Sequence, residues 1–116
     1  MIKYLKVQEN PASVTDLKIE LYYDLGGMNY FTGRAENRGY YLSVTPVERC
    51  VSSYGYTSEC YTAFSGIKQL VKGVKRKSQK AEKEAENLAE NLMDRMIDYV
   101  CGQNGLELLE VEDLTA

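Results

Sequence analysis

The stretch "VKGVKRKSQKAEKEAENLAEN", residues 71–91, decides how the second half of this chain is read. In and around it, apolar or small residues recur at Ile67, Leu70, Val71, Val74, Ser78, Ala81, Ala85, Leu88, Leu92, Met96, Tyr99 and Val100, in steps of mostly three or four. That spacing keeps one face of an α-helix apolar. It predicts a helix over 66–101, with Ser65 as N-cap, Gly102 as the stop and Asn104-Gly105 as a turn beyond. At 1.5 Å per residue such a helix is about 54 Å long. It must overhang any sheet it covers, or break, and Gly73 is the weak point, about 1 kcal/mol worse than alanine in a helix interior.

The charge of this stretch changes sign midway. Residues 67–80 carry six positive charges and no negative one, 81–116 carry ten negative and two positive, and the rest is nearly balanced at seven acidic and six basic. Lys68, Lys72, Arg76 and Lys80 fall four apart, as do Glu82, Glu86, Glu90, Asp94 and Asp98. On a helix each set becomes a line of like charges at intervals of about 6 Å, costing a few tenths of a kcal/mol per pair. The order also opposes the helix macrodipole. Three readings stay open: an ordinary solvated face, a basic row that grips phosphates, or an acidic row that imitates the phosphate line of a nucleic acid and enters a basic channel on another protein. The net charge of −3 and pI near 5.0 favour the acidic row.

Upstream the period is two. In "LKIELYYD", 17–24, Leu17, Ile19, Leu21 and Tyr23 alternate with Lys18, Glu20, Tyr22 and Asp24, which predicts a half-buried strand. Gly26-Gly27 then reads as a tight turn, "MNYFTG" as a second strand, "RAENRG" as a polar connection, and "YYLSVTPV" as a third strand ended by Pro46. A loop through "SSYGYTSE" leads to a fourth strand, "CYTAF". The expected fold is α+β: an antiparallel sheet of about four strands with one long C-terminal helix packed on one face, forming a single domain over 17–101. Residues 1–16 read as a loosely attached N-terminal extension containing a short strand, "IKYLKV". Residues 102–116 read as an acidic C-terminal tail that adds an edge strand or packs back on the helix.

At 116 residues the chain holds one core, and 44% hydrophobic with 27% charged residues is an ordinary globular balance. No apolar run approaches the ~18 residues of a membrane span, and the N-terminus lacks the apolar middle of a secretory signal. The three cysteines, Cys50, Cys60 and Cys101, lie outside any CxxC pattern and read as reduced thiols of a cytoplasmic protein. Histidine is absent, which removes the usual general base and the commonest zinc ligand. No enzyme, metal or cofactor is expected. "GGMNYFTG" lacks the GK[ST] of a phosphate loop and reads as a hairpin.

Nine of ten tyrosines precede residue 65. Successive strand residues face opposite ways, so the doublets Tyr22-Tyr23 and Tyr40-Tyr41 each place one ring on the face away from the helix. Such rings, with Arg34 and Arg38 nearby, would stack bases or anchor a protein partner, or would simply be good strand formers with wet hydroxyls.

The order "KIELYYDLGGMNYFTGRAENRGYYLSVTPVER" followed by "YTAFSGIKQLVKGVKRKSQKAEKEAENLAE" resembles a group of small proteins carried on conjugative elements and plasmids of Gram-positive bacteria, some of which are anti-CRISPR proteins that disable the RNA-guided nuclease of type II systems. The resemblance covers roughly residues 17–101. It implies a non-catalytic inhibitor, in the cytoplasm of a bacterial host, that binds the effector nuclease or interferes with its guide RNA. Such nucleases hold their heteroduplex in a positively charged channel, a sensible target for an acidic row. The alternative expectation is a small nucleic-acid-binding accessory protein of a mobile element, touching RNA through Lys68, Lys72, Arg76, Lys80, Arg34, Arg38, Tyr22 and Tyr41. A third is a homodimer through the seam Val74, Ser78, Ala81, Ala85, Leu88 and Leu92.

Overall fold

In the computed structural model, which describes residues 1–7, 14–62, 64 and 66–110, the chain runs β1 (Ile2–Val7), β2 (Asp16–Asp24), β3 (Gly27–Asn29), β4 (Arg34–Glu36), β5 (Gly39–Val51), β6 (Thr57–Tyr61), β7 (Ile67–Leu70), α1 (Gln79–Asn104) and β8 (Leu108–Glu110). The fold is α+β, an antiparallel sheet with one long helix packed against it. Among the described residues the sheet has six strands rather than about four. Its order is β6-β5-β2-β1-β8, with β7 also paired to β5. The ribbon β3–β4 stands apart as a two-stranded sheet.

The alternating pattern builds the centre as expected. β2 pairs with β5 from Asp16↔Val47 to Asp24↔Gly39, which lines up Leu17, Ile19 and Leu21 with Pro46, Val44 and Leu42 on the helix side. All three residues of β2 are buried there, together with Leu42 and Val44, beneath Ala81, Ala85, Ala89, Met96, Ile97 and Val100 of α1. Three alanines in the first half of the helix let its backbone lie close to the sheet, and larger side chains fill the second half.

The rest of the second half differs from the expected helix. Residues 67–70 form β7, and α1 begins only at Gln79, with Ser78 as N-cap accepting a 3.0 Å hydrogen bond from Ala81 N–H. Ser65, expected as the cap, lies outside the described residues. Two observations explain the shift. Val71 and Val74 are buried, so their apolar spacing is satisfied by a connector as well as by a helix. Gly73 has φ 98°, a left-handed backbone that turns the chain instead of continuing it. At the other end α1 runs through Gly102 and stops at Gly105, whose φ is 65°.

Other boundaries move for similar reasons. Pro46 does not end β5. The Val47 carbonyl accepts from Thr15 N–H, so the Pro46 nitrogen points to the opposite edge, into the gap between β7, whose ladder ends at Val44, and β6, whose ladder begins at Val47. Gly66 crosses that gap so closely that a Cβ there would lie 2.4 Å from the Val44 carbonyl oxygen. The turn of the long β2–β5 hairpin lies at residues 30–33, not at Gly26-Gly27, which form a bend where the ribbon leaves the sheet. "RAENRG" accordingly contains β4.

The expected N-terminal extension is corrected too: β1 is an inner strand between β2 and β8, with Leu5 and Val7 buried in the core. Backbone ladders on both sides hold it. Residues 8–13 lie outside the described residues. In the expected tail, β8 pairs with β1, and 111–116 lie outside the described residues.

Candidate functional site

The tyrosine doublets divide as the pleat requires. Tyr23 and Tyr40 face the helix side, edge to face at 5.1 Å. Their hydroxyls donate to the carbonyls of Lys75 (3.1 Å) and Ser78 (3.3 Å), which fastens the connector 71–78 over the end of the sheet. Tyr22 and Tyr41 lie on the opposite face, stacked at 6.0 Å with 21° between ring planes. The Lys68 ammonium sits 5.4 Å from the Tyr41 ring, and the Tyr41 hydroxyl donates to the Asn37 carbonyl at 2.7 Å. An open hollow of about 340 Å³ runs along this face, lined by Lys18, Glu20, Tyr22, Ser43, Thr45 and Lys68 among others.

Because residues 68–78 are not helical, the expected basic row does not form. Lys68 belongs to the open sheet face, Lys72 and Arg76 to the connector, and only Lys80 to α1. The fold makes a different grouping. Arg38, at the bend before β5, joins Lys72 and Lys75 around a cleft of about 360 Å³. All three are exposed, as are Arg76, Lys77 and Lys80 towards the N-terminus of α1. Lys77 lies 5.9 Å from the Tyr23 ring. Arg34 is exposed on β4. This end of the molecule therefore gathers cations from two distant segments, and the positive end of the helix macrodipole lies beside them.

The acidic residues Glu82, Glu86, Glu90, Asp94 and Asp98 all lie on α1. Four residues turn a helix by about 400°, so the row winds through about 160° from first to last. Glu82 approaches the N-terminal amine of Met1 at 4.0 Å, Glu86 is half-buried, and the last three are exposed. Lys83 sits within the same surface, three residues before Glu86. The proposed dimer seam is largely spent within the chain: Ala81 and Ala85 are buried against its own core, and Val74 and Ser78 precede the helix.

A second polar group, which the sequence reading missed, lies at the far end of the open face. Glu59 of β6 accepts from the Tyr4 hydroxyl of β1 at 2.6 Å and from the Lys18 ammonium of β2. The Arg49 guanidinium lies 3.9 Å from the Tyr4 ring centre and 3.6 Å from the buried Asp16 carboxylate. The hydrogen bond from Lys18, then that from Tyr4, hold the Glu59 carboxyl below its ordinary value. The bond to Glu59 raises Lys18, and burial, followed by the bond to Glu59, raises the Tyr4 phenol. This cluster ties four strands together and leaves its charges matched. Lys18 was visible as a polar position in an alternating strand, but nothing in the sequence pairs it with Glu59.

Cys50 and Cys60 do not face each other: the register sets Cys50 against Ser58 and Cys60 against Glu48. The Cys50 thiol donates to Glu48, which raises its pKa, and burial raises that of Cys101. Among the described residues no group of three or more Cys, Asp or Glu could hold a metal ion, and no helix is long and apolar enough to cross a membrane. No family model matches the chain, and no curated protein or solved structure shows significant similarity to it.

Proposed function

We propose that this is a non-catalytic binding protein whose basic end takes the phosphates of a nucleic acid, RNA in the first instance. The observation that carries this reading is the cleft where Arg38 meets Lys72 and Lys75, exposed cations drawn from separate segments. Clustered cations of this kind displace counterions from phosphates. On the adjoining face Tyr41 is buried, contrary to its expected role as a contact, and the half-buried Tyr22 stacked on it is the ring left to meet a base. The chain is acidic as a whole, so the attraction is local to this end. Fluorescence anisotropy with a labelled single-stranded RNA tests the reading. The triple variant Arg38→Glu, Lys72→Glu, Lys75→Glu should bind at least about tenfold more weakly, and the slope of log K against log salt should fall by about 2, at roughly 0.7 per lost phosphate contact. Equal binding by the folded variant, or none by the unmodified chain, would sink it.

A second reading, inhibition of an RNA-guided nuclease by the acidic face, is favoured by the exposure of Glu90, Asp94 and Asp98 on one helix and by the resemblance described above. Its test is nuclease cleavage in the presence of the protein. Reversing Glu86, Glu90 and Asp94 to lysine should abolish inhibition, and reversing Lys72, Arg76 and Lys80 to glutamate should leave it. The opposite order of damage would instead point to interference with the guide RNA through the basic end.

A further inference from the structure

We infer that the β3–β4 ribbon is a base-stacking finger and that the nucleic acid taken by this protein is single-stranded; the inference rests on the reading of the basic end given above. At the tip of the ribbon Phe31 is 102% exposed and Tyr30 91% exposed, and Met28 and Leu25 are exposed below them. Four exposed apolar side chains on one projection mark a surface made for contact.

The projection is built into the backbone. The β2–β5 ladder stops at Asp24↔Gly39 and restarts at Gly27↔Glu36, which leaves two residues in each strand to form a bend. Gly26, with φ 79°, makes that bend, its N–H donating to the Asp24 carboxylate at 2.8 Å. The Arg38 guanidinium donates to the Leu25 carbonyl at 3.4 Å and braces the other side. Gly33, with φ 69°, closes the turn. A three-residue ribbon carries its tip about 10 Å beyond this foot.

The foot of the finger and the wall of the cationic cleft are thus the same residue, Arg38. A ligand seated there is anionic, and within about 10 Å of its charges it meets flat apolar rings. Unpaired nucleotides combine these two properties, whereas a duplex hides the faces of its bases.

The test compares the unmodified chain with Tyr30→Ala/Phe31→Ala against three probes: a labelled single-stranded RNA, the same sequence closed into a hairpin duplex, and phosphatidylserine-containing vesicles. Both positions are exposed, so folding should be unaffected. The unmodified chain should prefer the single strand. The double variant should lose about tenfold or more on the single strand and nothing on the duplex. Tyr30→Trp/Phe31→Trp should keep the affinity, with its indole emission quenched by the single strand alone. Unchanged single-strand binding by the alanine variant, equal losses on both RNAs, or a loss seen only with vesicles would overturn the inference. If the unmodified chain binds both RNAs equally and the Arg38/Lys72/Lys75 variant binds neither, the finger fails while the basic end stands. No binding to either RNA removes both.

Discussion

Two tyrosine pairs occupy neighbouring rungs of the same two strands and do different work. Tyr23 and Tyr40 meet edge to face on the helix side, and both hydroxyls are used on the connector. Tyr22 and Tyr41 stack on the opposite face, beside Lys68 and an open hollow. The inner pair is a clamp: it pins the cation-bearing segment 71–78 and so sets where Lys72, Lys75 and Lys77 stand. The outer pair is a stack in which Tyr41 is buried and Tyr22 half-buried. The difference shows that the placement of the basic connector depends on contacts beneath it: the tyrosine hydroxyls, the Val71 N–H donated to the Tyr40 carbonyl at 2.8 Å, and the buried Val71 and Val74.

The sharpest way to break this comparison is to truncate one ring from each pair. Tyr40→Ala should cost about 3–5 kcal/mol, as for other buried aromatics, read as a lower denaturant midpoint. Tyr22→Ala, on a half-buried ring, should cost about 1 kcal/mol while weakening RNA binding. Similar losses of stability from both would erase the distinction between the clamp and the outer stack. Next in size is Gly66→Ala, at the edge of the outer hollow. The added Cβ would meet the Val44 carbonyl at 2.4 Å, and overpacking of this kind costs about 1–3 kcal/mol. An unchanged midpoint would show that β6 and β7 part easily and that the outer face is softer than the inner one.

The smallest effect concerns the far end of the outer face, where Tyr4 is tied to Glu59. The folded Glu59 carboxyl titrates below its ordinary 4.5, so its contribution is present above that pH and is lost as pH falls through the lower folded value. Lys18 is raised above 10.5 and Tyr4 above 10.0, so their contributions fade at the alkaline end as pH rises past those values. Glu59→Gln should remove less than about 1 kcal/mol at neutral pH, the pair being partly solvated, and should flatten the acid limb of the stability curve. An acid limb identical to that of the unmodified chain would show that the cluster does not bear on stability.

Much of the fold was legible before any coordinates. Alternation in 17–24 assigned the faces of β2, and the pleat required each tyrosine doublet to place one ring on the face away from the helix. The alanine-rich run from Gln79 onward specified a helix through its small and apolar spacing. The basic end was legible only in part. Lys72 and Arg38 were visible as charges, but their meeting, and the recruitment of Lys75, depend on a turn at Gly73 and a bend at Gly26.

What the sequence determined by itself was local: strand alternation, a helical segment, an acidic half and a basic half. Tertiary structure alone decided that residues 67–70 are a strand and 71–78 a connector. Spacings of three between buried valines suit either a helix or a chain crossing a sheet end, and the open edge of β5 supplied a ladder for Ile67–Leu70 that a helix would have left unpaired. The same edge explains why β5 continues past Pro46. It also explains why the cations of 68–77 leave the helix: once those residues pair with and cross the sheet, Lys68 goes to the open face, Lys72 and Lys75 meet Arg38, and the carboxylates of the acidic row stay behind on α1.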